Sequence, residues 1–208
     1  MKINLIFFLT LFKLYKKKIF KIAIYEIYFS IKNFKSVNFI RLKNINRKTV
    51  TMPCPYYFIH KISKFVNKNQ ITNIVDLGSG FGRLTNYLSK ATKATVSGYE
   101  INKDAFNFSI KNKTSNVTIE NKDILNCDYK NLKAECFIIN DPFHLDDSGL
   151  ENLMKKIELD IVNLKKKIYF ITININENKM HIFNNYKLLK LISAGQSRCI
   201  KFFSNQVT

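Results

Sequence analysis

The sequence predicts an α/β fold in which a seven-stranded, mostly parallel sheet has helices on both faces and ends in an antiparallel hairpin. An apolar, β-branched run, 71–77, leads through a glycine-rich turn directly into a helical pattern. Short apolar runs then alternate with helical patterns, which is typical of parallel sheets. The last two runs, 186–193 and 198–204, are separated by only four residues, which indicates a hairpin.

Length and composition indicate one main domain. A chain of 208 residues can bury a sizeable core. We expect an N-terminal amphipathic helix and a basic connection over residues 1–50, and one domain over residues 51–208. The 34 Lys and Arg residues outnumber 15 acidic ones, giving a formal net charge of +19. Such a charge can indicate nucleic acid or an anionic membrane, but the lysines form no single long tract, and we interpret them as a solvated basic surface.

Cysteine and histidine spacing predicts neither disulfides nor a metal site. The four cysteines include no CxxC pair, and the three histidines share no ligand spacing with them or with each other. We therefore predict a reduced, cytoplasmic protein without a metal. These residues are Cys54, Cys127, Cys136, Cys199, His60, His144 and His181.

The N-terminal run 3–12 is apolar and follows Lys2, as in a signal peptide. Three lysines follow it instead of a small-residue cleavage site, and it is shorter than the ~20 residues that span a bilayer, so we do not expect secretion. An apolar helical stripe continues beyond it, with Lys17, Lys18 and Lys21 pointing away. The helix either packs on the domain or lies on an anionic membrane surface. Its stripe comprises Phe12, Tyr15, Ile19, Phe20, Ile22, Ala23 and Ile27.

The glycine turn reads DLGSGFG from Asp76 to Gly82. Glycines allow a tight turn at positive φ and let a ligand contact backbone that a Cβ would block. The N-terminus of the following helix presents free N–H groups. A nicotinamide-binding GxGxxG would need glycine at position 83, where Arg83 stands, so the pattern is DxGxGxG and argues against a nicotinamide oxidoreductase.

With Glu100 at the end of the second predicted strand, 94–101, this pattern resembles the first motif of class I S-adenosylmethionine-dependent methyltransferases. The resemblance runs from Pro53 to Ser204 and is most specific over 75–82. It implies a Rossmann-like fold and S-adenosylmethionine as the cofactor. The cofactor-binding residues it implies are Asp76, Gly78, Ser79, Gly80, Gly82, Glu100, Asp123, Ile124 and Asn140.

Two of the acidic residues in this set lie at or just beyond the ends of predicted strands. A carboxylate at Glu100, where the sheet's ligand crevice opens, can accept hydrogen bonds from ribose hydroxyls. After the third predicted strand, 117–120, the resemblance implies that Asp123 accepts from the adenine amino group and that Ile124 packs on the ring. Glu120 is the rival acceptor if that strand ends earlier.

A helix is predicted after Pro55, because apolar residues over 58–66 recur at helical spacing. In the small bacterial methyltransferases that the chain resembles, a segment with Pro and Tyr edges the pocket here, which would be Pro53, Tyr56 and Tyr57. The alternative is ordinary helix capping with the aromatic rings in the core.

The fourth predicted strand, 136–140, precedes the place where substrate should meet cofactor. The next residues resemble the family's fourth motif, whose amine-directed form reads Asp, Asn or Ser, then two prolines and an aromatic residue. If the motif is aligned to start at Asp141, Phe143 replaces the second proline and His144 replaces the aromatic residue. If it is aligned to start at Asn140, Asp141 replaces the first proline. These departures weigh against nucleic-acid adenine methylation. The closer likeness is to small bacterial methyltransferases with an Asn-Pro-Phe turn, which does not settle the substrate.

We predict that Asp141, Phe143 and His144 are catalytic. Asp141 would orient an amine or take its proton, His144 would serve a hydroxyl or amine near neutral pH, and Phe143 would exclude water. The alternative for His144 is a surface histidine beside Asp146 and Asp147. Beyond them, Ser148 is predicted to cap a helix, and a fifth strand is predicted over 167–174.

Two function classes follow. The first is methyl transfer to an N or O acceptor on a protein side chain, a small metabolite, a glycan or lipid, or RNA. The second is a noncatalytic module of the same fold that holds its basic surface against RNA or a membrane. The complete set of cofactor residues favours the enzyme, because a binding module would not need it.

Overall fold

The computed structural model describes residues 18–32, 53–140, 147–162, 166–195 and 198–205. Short 3-10 helices lie between some of the main elements. The helices are α1 Ile19–Lys32, α2 Tyr56–Lys68, α3 Arg83–Ala91, α4 Lys103–Asn112 and α5 Asp147–Ile161. The strands are β1 Asn73–Leu77, β2 Thr95–Tyr99, β3 Val117–Glu120, β4 Cys136–Ile139, β5 Tyr169–Ile173, β6 Lys187–Ser193 and β7 Cys199–Ser204.

The strands of the described residues form one seven-stranded sheet in the order β3-β2-β1-β4-β5-β7-β6. The first five strands in this order are parallel, β7 is antiparallel to β5, and β6 is antiparallel to β7. The predicted fold class, including the closing hairpin, is therefore confirmed. The parallel order brings the carboxyl ends of β1, β2 and β4 to one edge, which is where ligands bind in such sheets.

Each central strand contributes side chains to two cores, because alternate residues of a strand point to opposite faces. In β1, Ile74 belongs to the core beneath α1, α2 and α3, whereas Val75 belongs to the core beneath α5. In β4, Ile138 and Phe137 divide in the same way. Both faces are covered, which is why these strands read as continuous apolar runs.

Element boundaries differ from the predictions by a few residues. β2 ends at Tyr99 and β4 ends at Ile139, so Glu100 and Asn140 each lie directly beyond a strand. Helix α5 already includes Asp147, so Ser148 lies within its first turn instead of directly before the helix.

Helix α1 packs against α2, with Ile19 and Ile22 inside the first core. The predicted apolar stripe packs on the domain only in part, because Phe20 is 80% exposed and Ile27 is 41% exposed. Only one side of α1 meets the domain, and Glu26 is buried on that side. Phe12 and Tyr15 lie outside the described residues. None of the described helices is both long and apolar enough to cross a membrane.

Candidate cofactor site and active site

The glycine turn joins β1 to α3 in a conformation that suits glycine. Gly78, Gly80 and Gly82 have φ values of +82°, +55° and +76°, which side chains with a Cβ rarely adopt. The backbone N–H groups of Gly78 and Ser79 donate to the carbonyl oxygen of Tyr99, at 3.0 and 2.9 Å. The turn is thereby attached to the end of β2, beside Glu100.

Gly98 of β2 also shapes the turn, although sequence reasoning did not single it out. A Cβ at Gly98 would lie 2.8 Å from the Cβ of Ser79, which is closer than real side chains approach. A glycine inside a predicted strand is the signal that could have found it, since such a glycine often marks close approach of another backbone. Gly98 therefore lets the turn pack directly on β2.

Glu100 is 7% exposed, and both of its carboxylate oxygens accept backbone hydrogen bonds. Oε2 accepts from the N–H of Gly80 and Oε1 from the N–H of Asn102, each at 2.7 Å. Burial raises the pKa of Glu100, while these hydrogen bonds act in the opposite direction. The carboxylate is therefore held in one orientation beside the glycine turn.

Asp76 is almost fully buried, with 2% of its surface exposed. Burial, together with the charge of Glu100, raises its pKa to about 7. Among the described residues, neither its Oδ2 atom nor the Oγ of Ser79 has a hydrogen-bond partner. Such groups are costly and are found mostly where a ligand satisfies them. Two polar atoms at this turn therefore fit a ligand with hydrogen-bond donors.

Asp123 and Ile124 follow β3 as predicted. Asp123 Oδ1 accepts from the N–H of Leu125 at 2.9 Å and so caps a short 3-10 helix that begins at Ile124. Ile124 is 7% exposed and contributes to the core beneath α5. Glu120, the rival acceptor, is the exposed last residue of β3. Asp123 and Ile124 thus have structural roles, and their contacts with adenine stay predictions.

The predicted catalytic segment is described only at its first residue. Asn140 lies directly after β4 and is half-buried. Asp141, Phe143 and His144 lie outside the described residues, so their roles stay predictions. Upstream, Tyr56 and Tyr57 are buried in the first core, in agreement with the alternative of core aromatics rather than a pocket edge.

Arg83, the residue that interrupts a dinucleotide fingerprint, is 5% exposed. Its guanidinium lies 4.2 Å from the centroid of the Tyr56 ring and donates to the carbonyl oxygen of Cys54 at 3.1 Å. It also forms an ion pair with Glu26 of α1 at 2.9 Å. Neither member of the pair was predicted to have a role in the site. Within the described segments, no group of three or more His, Cys, Asp or Glu residues could hold a metal.

Comparisons with known proteins agree with this geometry. Residues 61–164, half of the chain, match the model of the methyltransferase small domain. Ribosomal RNA small subunit methyltransferase A of Metamycoplasma arthritidis is 33% identical over 87 residues, which cover 41% of this chain and 32% of that protein. The rRNA adenine N-6-methyltransferase of Escherichia coli is 32% identical over 98 residues, covering 46% and 40%. The chain thus matches well under half the length of these curated relatives.

Among solved structures, the RNA methyltransferase of Salinibacter ruber in complex with S-adenosyl-L-homocysteine superposes with a TM-score of 0.55. The two chains are 16% identical, and the match covers 75% of this chain and 94% of that one. Identity at this level establishes the fold alone. Together with the matched family model, the fold establishes that the chain belongs to the methyltransferase small domain family, among the class I S-adenosylmethionine-dependent methyltransferases.

Proposed function

We propose that this protein transfers the methyl group of S-adenosylmethionine to an exocyclic amine of RNA, with adenine N6 as the acceptor. The observation that carries the cofactor assignment is the pair of buried carboxylates at the glycine turn. Glu100 is oriented by the N–H of Gly80, and Asp76 has an oxygen without a partner among the described residues.

The residues at the turn fit the chemical groups of the cofactor. S-adenosylmethionine presents an ammonium group, two ribose hydroxyls and an adenine ring. Asp76 Oδ2 would accept from the ammonium group, directly or through water, and Glu100 would accept from the ribose hydroxyls. The left-handed backbone at Gly80 leaves no side chain between ligand and backbone. Once bound, the sulfonium supplies an activated methyl group, so the chain's own task is to align the acceptor and exclude water.

The end of β4 supports an amine as the acceptor. Because β4 ends at Ile139, Asn140 is the first residue beyond the strand, which favours the alignment that starts at Asn140. Asn140, Pro142 and Phe143 then occupy the first, third and fourth positions of the amine-directed motif, and only Asp141 departs from it. The amide oxygen of Asn140 would accept from the amine, and Phe143 would stack on the base.

The relatives support RNA as the substrate. Both curated proteins with about one-third identity are named for ribosomal RNA, and one of them is named for the adenine N-6 position. The noncatalytic alternative is a module that binds RNA without methylating it. Such a module would have the same basic surface, but it would not require the carboxylates of Asp76 and Glu100 at the turn.

The test begins with calorimetric titration of S-adenosylmethionine and NAD against the purified chain. Labelled methyl transfer to a ribosomal RNA transcript follows, with nucleoside analysis of the product. We expect that S-adenosylmethionine binds and NAD does not. We also expect the labelled methyl group to be recovered in N6-methyladenosine. Label that appears only in protein or small molecules would overturn the RNA assignment. RNA binding without S-adenosylmethionine binding would favour the noncatalytic module.

Variants at the acceptor side refine the test. Asn140→Ala and Asp141→Ala should each lower single-turnover methyl transfer by about 100-fold, the scale of a lost orienting or acid-base group, with cofactor affinity nearly unchanged. Melting temperature, affinity and turnover should be measured on one preparation. Loss of stability with normal turnover would assign the residue a structural role instead.

A further inference from the structure

We propose that five lysines from three elements form a docking surface for the phosphate backbone of the substrate RNA. This lysine surface consists of Lys18 directly before α1, Lys21 in α1, Lys61 and Lys64 in α2, and Lys190 in β6. The inference rests on the proposed function and specifies where the RNA would lie. Lys21, Lys64 and Lys190 are exposed, and the other two are half-buried.

Aromatic rings hold part of the lysine surface together. The ammonium groups of Lys18 and Lys61 lie 5.9 and 5.4 Å from the centroid of the same ring, that of Tyr57. The contacts between cation and ring bring α1 and α2 together at this point. One aromatic side chain therefore positions two positive charges that are 43 residues apart in the sequence.

The β6 side is attached through a second aromatic contact. Lys190 Nζ lies 5.9 Å from the centroid of the Phe202 ring. That ring packs against Phe65 of α2, with their centroids 4.6 Å apart. Lys190 is thus placed beside the helix that carries Lys61 and Lys64.

Positive charge on the lysine surface is not paired with any carboxylate of the described residues. None of the salt bridges between described residues includes any of the five lysines. The pKa of Lys61 lies below its usual value, first because of burial and then because of Lys64, Lys190, Lys21 and Lys18. Like charges held this close repel each other, and an anionic partner would relieve the repulsion.

The distribution of acidic residues explains this imbalance. Residues 1–75 contain 15 Lys and Arg residues but a single acidic residue, Glu26, which is buried and paired with Arg83. Residues 76–208 contain 19 basic and 14 acidic residues. The net positive charge is therefore concentrated in the N-terminal third of the chain, and the lysine surface belongs mostly to that third.

The helix that carries Lys61 and Lys64 begins next to the candidate cofactor site. Helix α2 is joined to β1 by four residues, and its first residue, Tyr56, stacks on Arg83 at the end of the glycine turn. The N-terminus of α2 therefore lies at the same edge of the sheet as the cofactor site. An RNA backbone lying along α2 would bring an unstacked base toward Asn140.

An anionic membrane is the competing partner. Four apolar residues of α1 are exposed, as at a membrane interface: Phe20, Ile24, Ile27 and Tyr28. RNA is favoured because three of the five lysines lie on α2 and β6 rather than at α1, and because α2 begins beside the cofactor site. The experiment described next distinguishes RNA from an anionic membrane.

The experiment compares two triple variants with the same loss of charge. The first variant removes part of the lysine surface by combining Lys61→Gln, Lys64→Gln and Lys190→Gln. The matched control changes exposed lysines of α3, α4 and α5 by combining Lys90→Gln, Lys111→Gln and Lys155→Gln. Fluorescence anisotropy measures binding of a labelled stem-loop RNA over a salt series, without cofactor.

We expect the first triple variant to bind RNA about 10- to 100-fold more weakly and its log–log salt slope to fall by about 2 to 3, since each lost phosphate contact removes about 0.7 to 0.9. The control should change affinity by less than about 3-fold. S-adenosylmethionine affinity should be unchanged in both variants. The melting temperature should be unchanged in the control and should fall only slightly in the first variant, in which Lys61 and Lys190 lose their contacts with the Tyr57 and Phe202 rings.

Equal weakening by both triple variants would overturn the proposal, because binding would then reflect net charge alone. If the first triple variant no longer binds vesicles of phosphatidylserine and phosphatidylcholine but keeps its affinity for RNA, the lysine surface is a membrane-binding surface instead. Lysine-dependent RNA binding by a chain that does not bind S-adenosylmethionine would refute the proposed function but not the docking surface.

Discussion

Glu26 of α1 and Arg83 of α3 form a buried ion pair that connects three helices. Arg83 Nη2 lies 2.9 Å from Glu26 Oε2, and the two side chains are 4% and 2% exposed. Glu26 Oε1 also accepts from the backbone N–H of Tyr56 at 2.6 Å, at the start of α2, where Pro55 provides no side-chain cap. One carboxylate therefore pairs with Arg83, caps α2 and holds α1 on the domain, next to the end of the glycine turn.

Glu26→Leu should lower the free energy of unfolding by about 3–5 kcal/mol, because it leaves the guanidinium of Arg83 buried without its counter-charge. Urea unfolding measures this. The double variant Glu26→Leu with Arg83→Met should be more stable than Glu26→Leu alone, since neither charge remains buried. Glu177→Gln is the control, because Glu177 is 71% exposed in its pair with Lys201 and should contribute less than about 1 kcal/mol. Simple additivity in the double variant would contradict the coupling.

Glu100→Gln should weaken S-adenosylmethionine by about 1.5 to 3 kcal/mol, because the ribose hydroxyls lose a charged acceptor. The amide group of glutamine would also oppose one of the two backbone N–H donors, those of Gly80 and Asn102, so the melting temperature should fall. Calorimetry gives the affinity. The exposed Glu120 provides the control variant, Glu120→Gln. An unchanged dissociation constant for Glu100→Gln would place the ribose contact elsewhere.

Gly98→Ala should displace the glycine turn, because the new Cβ would lie 2.8 Å from the Cβ of Ser79. We expect cofactor affinity to fall by about 10-fold or more and stability to fall by about 1–3 kcal/mol, as in other overpacked sites. Adding Ser79→Gly removes the opposing side chain and should restore part of both losses. If the second change restores nothing, the contact between Gly98 and Ser79 is not what positions the turn.

Asp76→Asn should change how stability depends on pH. The pKa of Asp76 is raised to about 7 in the folded chain, so between about pH 4 and pH 7 the folded state holds a proton that the unfolded state has lost. The contribution of Asp76 to the free energy of unfolding is fully present below about pH 4. It decreases by roughly 4 kcal/mol as the pH rises toward 7. The ligand-free Asp76→Asn variant should therefore be more stable than the wild type at pH 8.

The measurement is a series of urea unfolding curves from pH 5 to pH 8. The difference in stability between Asp76→Asn and the wild type should grow with pH, while Glu120→Gln should follow the wild type. The pKa of Glu100 is raised as well, so some pH dependence should remain in the variant. Parallel curves for Asp76→Asn and the wild type would contradict the assignment. The same variant should bind S-adenosylmethionine more weakly, because the ammonium group loses a carboxylate.

Much of the site could be predicted because it depends on local sequence. The strand, the three glycines and the start of α3 are consecutive, and positive φ at a tight turn leaves few residue types other than glycine. Glu100 was predicted from the resemblance to the family, together with the rule that the carboxyl ends of neighbouring parallel strands meet at one edge of a sheet. Asp123 was correctly placed after β3, but its hydrogen bond to Leu125 follows from a 3-10 turn that no periodic pattern announces.

The sequence by itself thus determined the order of strands and helices, the glycine turn, and the carboxylates beside it, because apolar periodicity and turn chemistry act over a few residues. Tertiary structure alone decided which side of α1 is buried, since Glu26 meets Arg83 across 57 positions, and helical periodicity does not show which stripe finds a partner. It also decided that Gly98 faces Ser79 and that Lys18 and Lys61 meet at the ring of Tyr57. Contacts between distant segments depend on how elements pack, and packing is a property of the assembled core rather than of any one stretch of the chain.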